Sequence, residues 1–333
     1  AMYQAKEEGR NRSCLYNSKI KKDVNLKMNI ESSLHTALDN NEFSLVYQPI
    51  LNIKTNAIIG AECLIRWQHP ELGMVPPDKF IPIAELNGEI NPIGLWVLTQ
   101  ACQKFAAWQK KYKLDFMAIN ISTRQLKLTD FAEQVKDVLF EYNIKPENIE
   151  LELTEGIFID DSTALIDNIL KLKELGIKLS IDDFGTGFSN FSYLKRFKID
   201  KIKIDRSFIM PLNEKSSQHE NIIPISIINL GKDLGLTVLA EGIEDKFQQN
   251  FLIEANCPEG QGYHLGKPMP EDELEKKLSQ LYTKVEERKN KLNSLIELYP
   301  DPALERDGEL TFIDNLQSIF NTMMNGDFES SDE

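Results

Sequence analysis

The sequence lacks any apolar run near the eighteen residues a membrane-spanning helix needs. The longest candidate, IIPISIINL, is short and contains a proline. No signal-peptide pattern occurs in these residues. Cysteine is scarce: Cys14, Cys63, Cys102 and Cys257 are scattered without metal-binding or disulfide spacing, which predicts a reduced, cytoplasmic setting. Histidine is equally sparse, and neither His69, expected in a loop, nor His219, in a polar stretch, joins a ligand pattern. No Gly-rich dinucleotide loop follows the first predicted strand, and no Walker-type lysine loop occurs. Positive charge is in deficit, with a formal net charge of -14. From Asp301 onward nine acids face the single base Arg306, so the tail carries -8 of that total. Such a chain is not expected to bind DNA or RNA through a basic surface. If it handles a phosphate ester among its acids, it needs metal cations to reverse the local field.

What is present is a rhythm of β-branched segments alternating with longer amphipathic ones. Strands are predicted at 43–50, 57–67, 115–122, 149–155, 177–183, 201–205, 236–241 and near 260–263. Helical patterns fill 92–111, 130–142, 162–175, 217–234 and 245–255. About eight strands separated mostly by helices predict an α/β fold, a modified (β/α)8 TIM-like barrel, with a doubly wound open sheet as the alternative.

Polar residues recur at the ends of these strands. Glu62 and Arg66 lie in AECLIRW, Asn120 in AINIS, and Glu152 and Glu155 in ELELTE. Asp182 and Asp183 lie in SIDDFG, Lys203 and Asp205 in KIKID, Glu241 and Glu244 in LAEGIE, and Gln261 in GQGY. In a barrel those ends converge on one mouth. One such acid is ordinarily a cap or a surface group; acids from many strands crowded together repel strongly. Hard divalent cations relieve that repulsion, and Mg²⁺ or Mn²⁺ suits carboxylate, amide and water ligands.

The pair Asp182–Asp183 is the sharpest signal. Neighbours on a strand point to opposite faces, so adjacent carboxylates serve one site only where the chain bends. The bend is expected at the strand's end, with Gly185 and Gly187 permitting it. Asp182 then bridges two metals while Asp183 holds the second, an arrangement suited to in-line attack on a phosphodiester. The plain alternative is that one of them caps a turn or helix.

The segments ECLIRW, NIS, ELTE, DDFGTGFSN, IDKIKIDRSFI, LAEGIE and QGY together resemble the EAL domain, the cyclic di-GMP phosphodiesterase module of bacterial signalling proteins, over about residues 23–275. AMYQAKEEGRNRSCLYN at the start resembles the last helix and strand of a GGDEF domain. The resemblance implies a piece of a longer GGDEF–EAL protein, whose missing upstream segments leave membrane attachment open. It implies residues 1–19 as GGDEF remnant and linker, 20–275 as the EAL domain, and 276–333 as a helical extension with an acidic tail.

The resemblance further implies hydrolysis of cyclic di-GMP to linear pGpG with two divalent cations, Mg²⁺ or Mn²⁺, and inhibition by Ca²⁺. Glu62, Asn120, Glu152 and Asp182 hold the first metal on that reading. Asp182 and Asp183 hold the second, with Glu241 near it directly or through water. Lys203 positions or activates the attacking water, and Gln261 supports metal-bound water and substrate. Gln48, Leu64 and Arg66 line the nucleotide site, with Arg66 suited to a phosphate; Asp205 and Glu244 join them as substrate-binding residues. Glu155 anchors the DDFG loop, which the family links to homodimerisation and control.

Each role has a plainer counterpart: a strand-end ion pair for Lys203 and Asp205, a helix N-terminal acid for Glu244, a turn residue for Gln48. Departures from the family pattern are Cys63 in the signature, Phe188 and Asn190 in the DDFG loop, Asp245 after LAEGIE, and HLG after QGY. None removes a ligand or the lysine. A silent cyclic di-GMP receptor or scaffold of the same fold is the alternative function. Beyond the barrel, 271–298 reads as a charged amphipathic helix, suited to packing on the barrel or to binding a partner.

Overall fold

The computed structural model describes residues 18–159, 162–187, 191–213 and 218–283. The GGDEF-like segment 1–17, the loop positions Phe188 and Asn190, and the extension from 284 onward lie outside the described residues. The chain divides into two compact units, one of residues 1–45 and 65–97, the other of 46–64 and 98–333.

In the first unit, helix α1 (Ser18–Ala37) buries Ile30, Leu34 and Ala37 at helical spacing. The second half of β2 (Ala57–His69) turns into the short antiparallel strand β3 (Gly73–Val75), pairing Trp67 with Val75 and His69 with Gly73. His69 is thus strand-terminal rather than in a loop: its Nδ1 accepts from the Glu71 and Leu72 amides at 3.0 and 3.1 Å. Helix α2 (Pro77–Asn87) starts on Pro77 and stops at Gly88, which takes the left-handed conformation a helix C-terminus favours. The rings of Phe43, Trp67 and Phe80 pack at 5.4–5.7 Å between centroids, and the Trp67 indole N–H donates to Glu42 Oε2 at 2.8 Å.

The second unit carries a closed ring of eight strands. Its order is β1-β9-β8-β7-β6-β5-β4-β2, with β1 pairing back to β2. The strands are β1 (Phe43–Asn52), β2, β4 (Phe116–Asn120), β5 (Ile149–Thr154), β6 (Lys178–Phe184), β7 (Lys201–Ile204), β8 (Thr237–Ala240) and β9 (Glu259–Gly260). From β2 onward the ring pairs in parallel, while β1 pairs antiparallel with β9. The reason for the reversed strand is local. Only residues 53–56 join β1 to β2, far too few for a crossover. Asn52 Oδ1 accepts from the Lys54 and Thr55 amides at 3.2 and 3.0 Å, and Asn56 has φ +55°, which closes the turn.

Crossover helices α3 (Ile90–Gln109), α4 (Phe131–Glu141), α5 (Thr163–Leu175), α6 (Phe191–Arg196), α7 (Arg206–Ile209), α8 (Gln218–Leu234) and α9 (Lys246–Glu254) follow the strands. The chain is helical again over 271–283. There Leu274 and Leu278 are buried, and Glu271 and Glu275 pair with Lys104 and Lys111.

The barrel interior is charged at two levels. Residues two apart on a strand face the same side, so β5 directs both Glu150 and Glu152 inward and β7 both Lys201 and Lys203. Lys201 Nζ lies 2.7 Å from Glu150 Oε2, 2.7 Å from Glu259 Oε2 and 4.1 Å from the centre of the Phe116 ring. Phe116 in turn packs with Ile50, Ala118 and Leu239 in a buried apolar cluster. Burial alone disfavours the Lys201 ammonium, but Glu150 and Glu259 together hold its pKa above the ordinary lysine value. Removing that ammonium strands two buried carboxylates. Lys201→Met is therefore expected to cost about 3–5 kcal/mol in urea unfolding, and adding Glu150→Gln and Glu259→Gln to recover most of it. A single variant within about 0.5 kcal/mol of wild type, the usual range for a surface substitution, would contradict this account of the interior.

Candidate active site

The second charged level stands at or near the ends of β4 to β9, joined by Glu62 from the middle of β2. Glu62, Asn120, Glu152, Asp182 and Lys203 come from five adjacent strands, with Glu241 directly after β8 and Gln261 directly after β9. Asn120 Nδ2 donates to Glu62 Oε1 at 2.7 Å, and Gln261 Nε2 donates to Glu62 Oε2 at 2.8 Å. Two amides thereby fix both oxygens of one buried carboxylate.

Lys203 is the hub. Its side chain is fully buried, and Nζ lies 2.8 Å from Glu241 Oε1, 2.9 Å from Glu152 Oε2, 3.1 Å from Asp182 Oδ1 and 3.9 Å from Glu62 Oε2. The strand-end pairing of Lys203 with Asp205 is not what the structure shows. Burial opposes the Lys203 charge, yet Glu152, Glu241, Glu62 and Asp182 outweigh it, so its pKa sits well above the ordinary lysine value.

One ammonium cannot balance these acids and Asp183 as well. Burial, followed by the charges of Asp182 and Asp205, pushes Asp183 up to about 6. Burial raises Glu241 to about 7 although Lys203 pulls the other way. Carboxyl oxygens of Asp182, Asp183 and Glu241 lie within 4.8 Å of one another. Glu152 Oε1 and Gln261 Oε1 are buried and accept no hydrogen bond. Oxygen donors that are crowded, raised in pKa and partly unsatisfied fit a hard divalent cation.

The adjacent aspartates reach one site through a bulge inside β6, not through a bend after it. The β6–β7 register shifts between Ile181 and Phe184, and Asp183 takes φ +55°. An extra residue in the ladder re-aims a side chain that the pleat would send to the opposite face. Strand β6 then resumes to Phe184. The following loop is tied down by Glu155, whose Oε2 accepts from the Gly187 amide at 2.8 Å. A Cβ at Gly187 would stand 2.9 Å from that same oxygen, so any larger residue there would make the carboxylate shift.

Beside the acids opens a cleft of about 250 Å³, lined in part by Gln48, Leu64, Glu244 and Gln261. Gln48 is no turn residue: it sits within β1, and its Nε2 donates to the Gly266 carbonyl at 3.0 Å. Glu244 precedes the capping Asp245 of α9, and its amide donates to Gln248 Oε1 at 2.7 Å. Asp205 caps α7 by accepting from the Ser207 amide at 3.1 Å, and its charge helps to raise the Asp183 pKa. Arg66 belongs to the first unit, where Nη1 donates to the Ile65 carbonyl at 2.8 Å. The cleft also exposes Arg206, Tyr263 and Pro268, which strand-end reasoning passes over. The available signal for Arg206 was its place directly after KIKID.

The EAL domain family model matches residues 31–268. A bifunctional diguanylate cyclase/cyclic di-GMP phosphodiesterase, MucR of Pseudomonas aeruginosa, is 37% identical over 275 residues, which are 82% of this chain and 40% of that protein. Signaling protein YkoW of Bacillus subtilis is 40% identical over 278 residues, 83% of this chain and 34% of that protein. The chain thus spans well under half the length of these curated relatives. Among solved structures, the Pseudomonas aeruginosa MucR phosphodiesterase in complex with c-di-GMP superposes with TM-score 0.69 at 36% identity, covering 74% of this chain and 99% of that one. An EAL enzyme, Bd1971, with cAMP and cyclic di-GMP bound, gives TM-score 0.71 at 36% identity, covering 76% and 69%. With a family model spanning most of the described residues and a barrel that matches those of solved members, this chain belongs to the EAL domain family.

Proposed function

We propose that the chain is a metal-dependent phosphodiesterase that opens cyclic di-GMP to linear 5'-pGpG with the aid of two divalent cations, Mg²⁺ or Mn²⁺. The observation that carries this reading is Lys203 set among Glu62, Glu152, Asp182 and Glu241, with Asp183 brought beside them by the β6 bulge. Glu62, Asn120, Glu152 and Asp182 would hold the first cation, and Asp182 with Asp183 the second, aided by Glu241. Bound there, the cations supply Lewis acidity and lower the pKa of water. The chain's own groups do the rest. Lys203 offers N–H donors where negative charge develops on the phosphorus oxygens. Gln261 and Asn120 hold Glu62 in one orientation. Gln48, Leu64, Glu244 and Asp205 shape the nucleotide side, with Arg66 kept as a phosphate-binding residue on the family resemblance. Ca²⁺, which prefers higher coordination numbers at longer distances, is expected to occupy the site and inhibit.

Three context proposals accompany this reading. The chain works in the cytoplasm downstream of a GGDEF domain, consistent with its resemblance at 1–17 and with MucR's name. It forms a homodimer through the barrel, for which α8 offers Ile222, Ile223 and Ile225 at 51%, 45% and 37% exposure. Ile227 of that helix and Phe208 pack over Gly185, next to the Asp182–Asp183 bulge. The reading also keeps the 276–333 extension as an appendage separate from catalysis.

Turnover of cyclic di-GMP with Mn²⁺ is the direct test. Wild type is expected to yield pGpG, while Asp183→Asn and Lys203→Ala lose about 10²-fold or more. Circular dichroism in Mn²⁺ shows which variants stay folded, and Asp183→Asn, which removes a charge rather than stranding one, is the decisive comparison. Binding without turnover by wild type would make the chain a receptor instead. Metal linkage is checked by thermal unfolding. Asp183 and Glu241 are raised from 3.8 and 4.5 to about 6 and about 7, so the metal-free fold loses stability as pH rises through that window and they ionise. Cations compensate the ionised form, so the gain in Tm from Mn²⁺ is expected to be larger at pH 8 than at pH 5. Equal gains at both pH values would count against the cluster as the binding site. For the dimer, Ile222→Glu with Ile225→Glu is expected to give monomers in analytical ultracentrifugation, and an unchanged mass would remove α8 from the interface.

A further inference from the structure

The cleft is lined by three carboxylates, Glu62, Glu241 and Glu244, and by a single guanidinium, that of Arg206. Four arginines are among the described residues, and three of them are engaged. Arg66 donates to the Ile65 carbonyl, Arg196 lies over the Tyr193 and Phe197 rings, and Arg124 has partners of its own. Arg206 makes no hydrogen bond, ion pair or ring contact with any described side chain. A guanidinium beside three acids ordinarily pairs with one of them. This one stays open, on the wall of a cleft.

Its root, by contrast, is held firmly. Arg206 begins α7 directly after the capping Asp205. The turn leaving β8 packs onto it: Gly242 has φ +69°, and a Cβ there would stand 2.5 Å from Arg206 Cβ and 3.2 Å from Arg206 Cα. Only glycine allows that approach. The same turn carries Glu241 on one side of Gly242 and Glu244 on the other, so the arginine is fixed relative to both the acid cluster and the nucleotide side.

Resting on the phosphodiesterase reading above, we propose that Arg206 binds the second, non-scissile phosphodiester of the cyclic dinucleotide. The substrate carries two phosphodiesters on opposite sides of its ring, and cations held by the acid cluster would serve the one being cut. Among the residues lining the cleft, Arg206 is the one cation set beside the carboxylates and available to the other anion. A planar guanidinium with its donors unoccupied fits two phosphate oxygens in a way that an ammonium does not. Arg206 acts by positioning: it fixes the ring so that the opposite phosphodiester lies at the acids.

The test compares wild type, Arg206→Ala and Arg206→Lys as the full chain, using calorimetric Kd and Mn²⁺-dependent kinetics with cyclic di-GMP. Bis(p-nitrophenyl) phosphate, which has one phosphodiester, is the second substrate, and guanosine, which has none, is a competitor. Arg206→Ala is expected to raise Kd and KM for cyclic di-GMP about tenfold or more with kcat changed far less, and Arg206→Lys to recover part of the loss. The loss in kcat/KM on bis(p-nitrophenyl) phosphate is expected to be several-fold smaller. An equal loss on both substrates would place Arg206 at the reacting phosphate and overturn the proposal. So would weakened inhibition by guanosine, which would assign the arginine to a base, and so would an unaltered Kd. If wild type binds cyclic di-GMP without cutting it, the phosphodiesterase reading fails while the Kd comparison still decides the role of Arg206.

Discussion

Everything in this barrel depends on carboxylates that repel one another inside a low-dielectric space. Glu62, Glu152, Asp182, Asp183 and Glu241 come from strands far apart in sequence and meet around one buried ammonium. A single Lys203 cannot neutralise them, and burial, with the charge of Asp182 adding to it, holds Asp183 and Glu241 above the ordinary carboxyl range. Such repulsion is a standing cost to the fold unless something positively charged relieves it. The site's chemistry and its instability therefore have the same origin.

The rest of the second unit reads as a device for maintaining that crowding. Lys201, Glu150 and Glu259 form a compensated charge layer one pleat away, packed against an apolar cluster, so the strands carrying Glu152, Lys203 and Gln261 share a rigid base. Above it, amides rather than cations orient Glu62. Glu155 does comparable work for the loop after β6, gripping the backbone at Gly187. The two charge layers differ in balance: the lower one is compensated by Lys201, while the upper one leaves Glu152 Oε1 and Gln261 Oε1 without a partner.

Much of this was legible in the sequence because strand alternation and strand-end chemistry are both short-range signals. The eight strands of the ring fall within a few residues of their predicted spans, and the strand-end polar residues Glu62, Asn120, Glu152, Lys203, Glu241 and Gln261 do converge. What escaped was set by geometry over longer distances. The β1 reversal follows from a four-residue connection whose consequence appears only once ring closure is known. The β3–α2 segment was missed because three residues of strand and a proline-started helix leave little periodic pattern. The bend expected at the strand's end, with glycines permitting it, is found one step earlier: Gly185 does take φ +97°, but Asp183 itself already takes φ +55° inside β6. Arg206 lies inside the motif IDKIKIDRSFI, but the motif gives it no role; the cleft lining and the packing of Gly242 upon it show where it stands.

On the function proposed for this site, the acids hold a pair of divalent cations in close contact. Electron paramagnetic resonance during Mn²⁺ titration tests it most directly. The account predicts two Mn²⁺ per chain, with the exchange-coupled spectrum of ions sharing a carboxylate, and loss of that coupling in Asp182→Asn. An uncoupled signal from one ion, or a spectrum indifferent to the loss of Asp182, would contradict it.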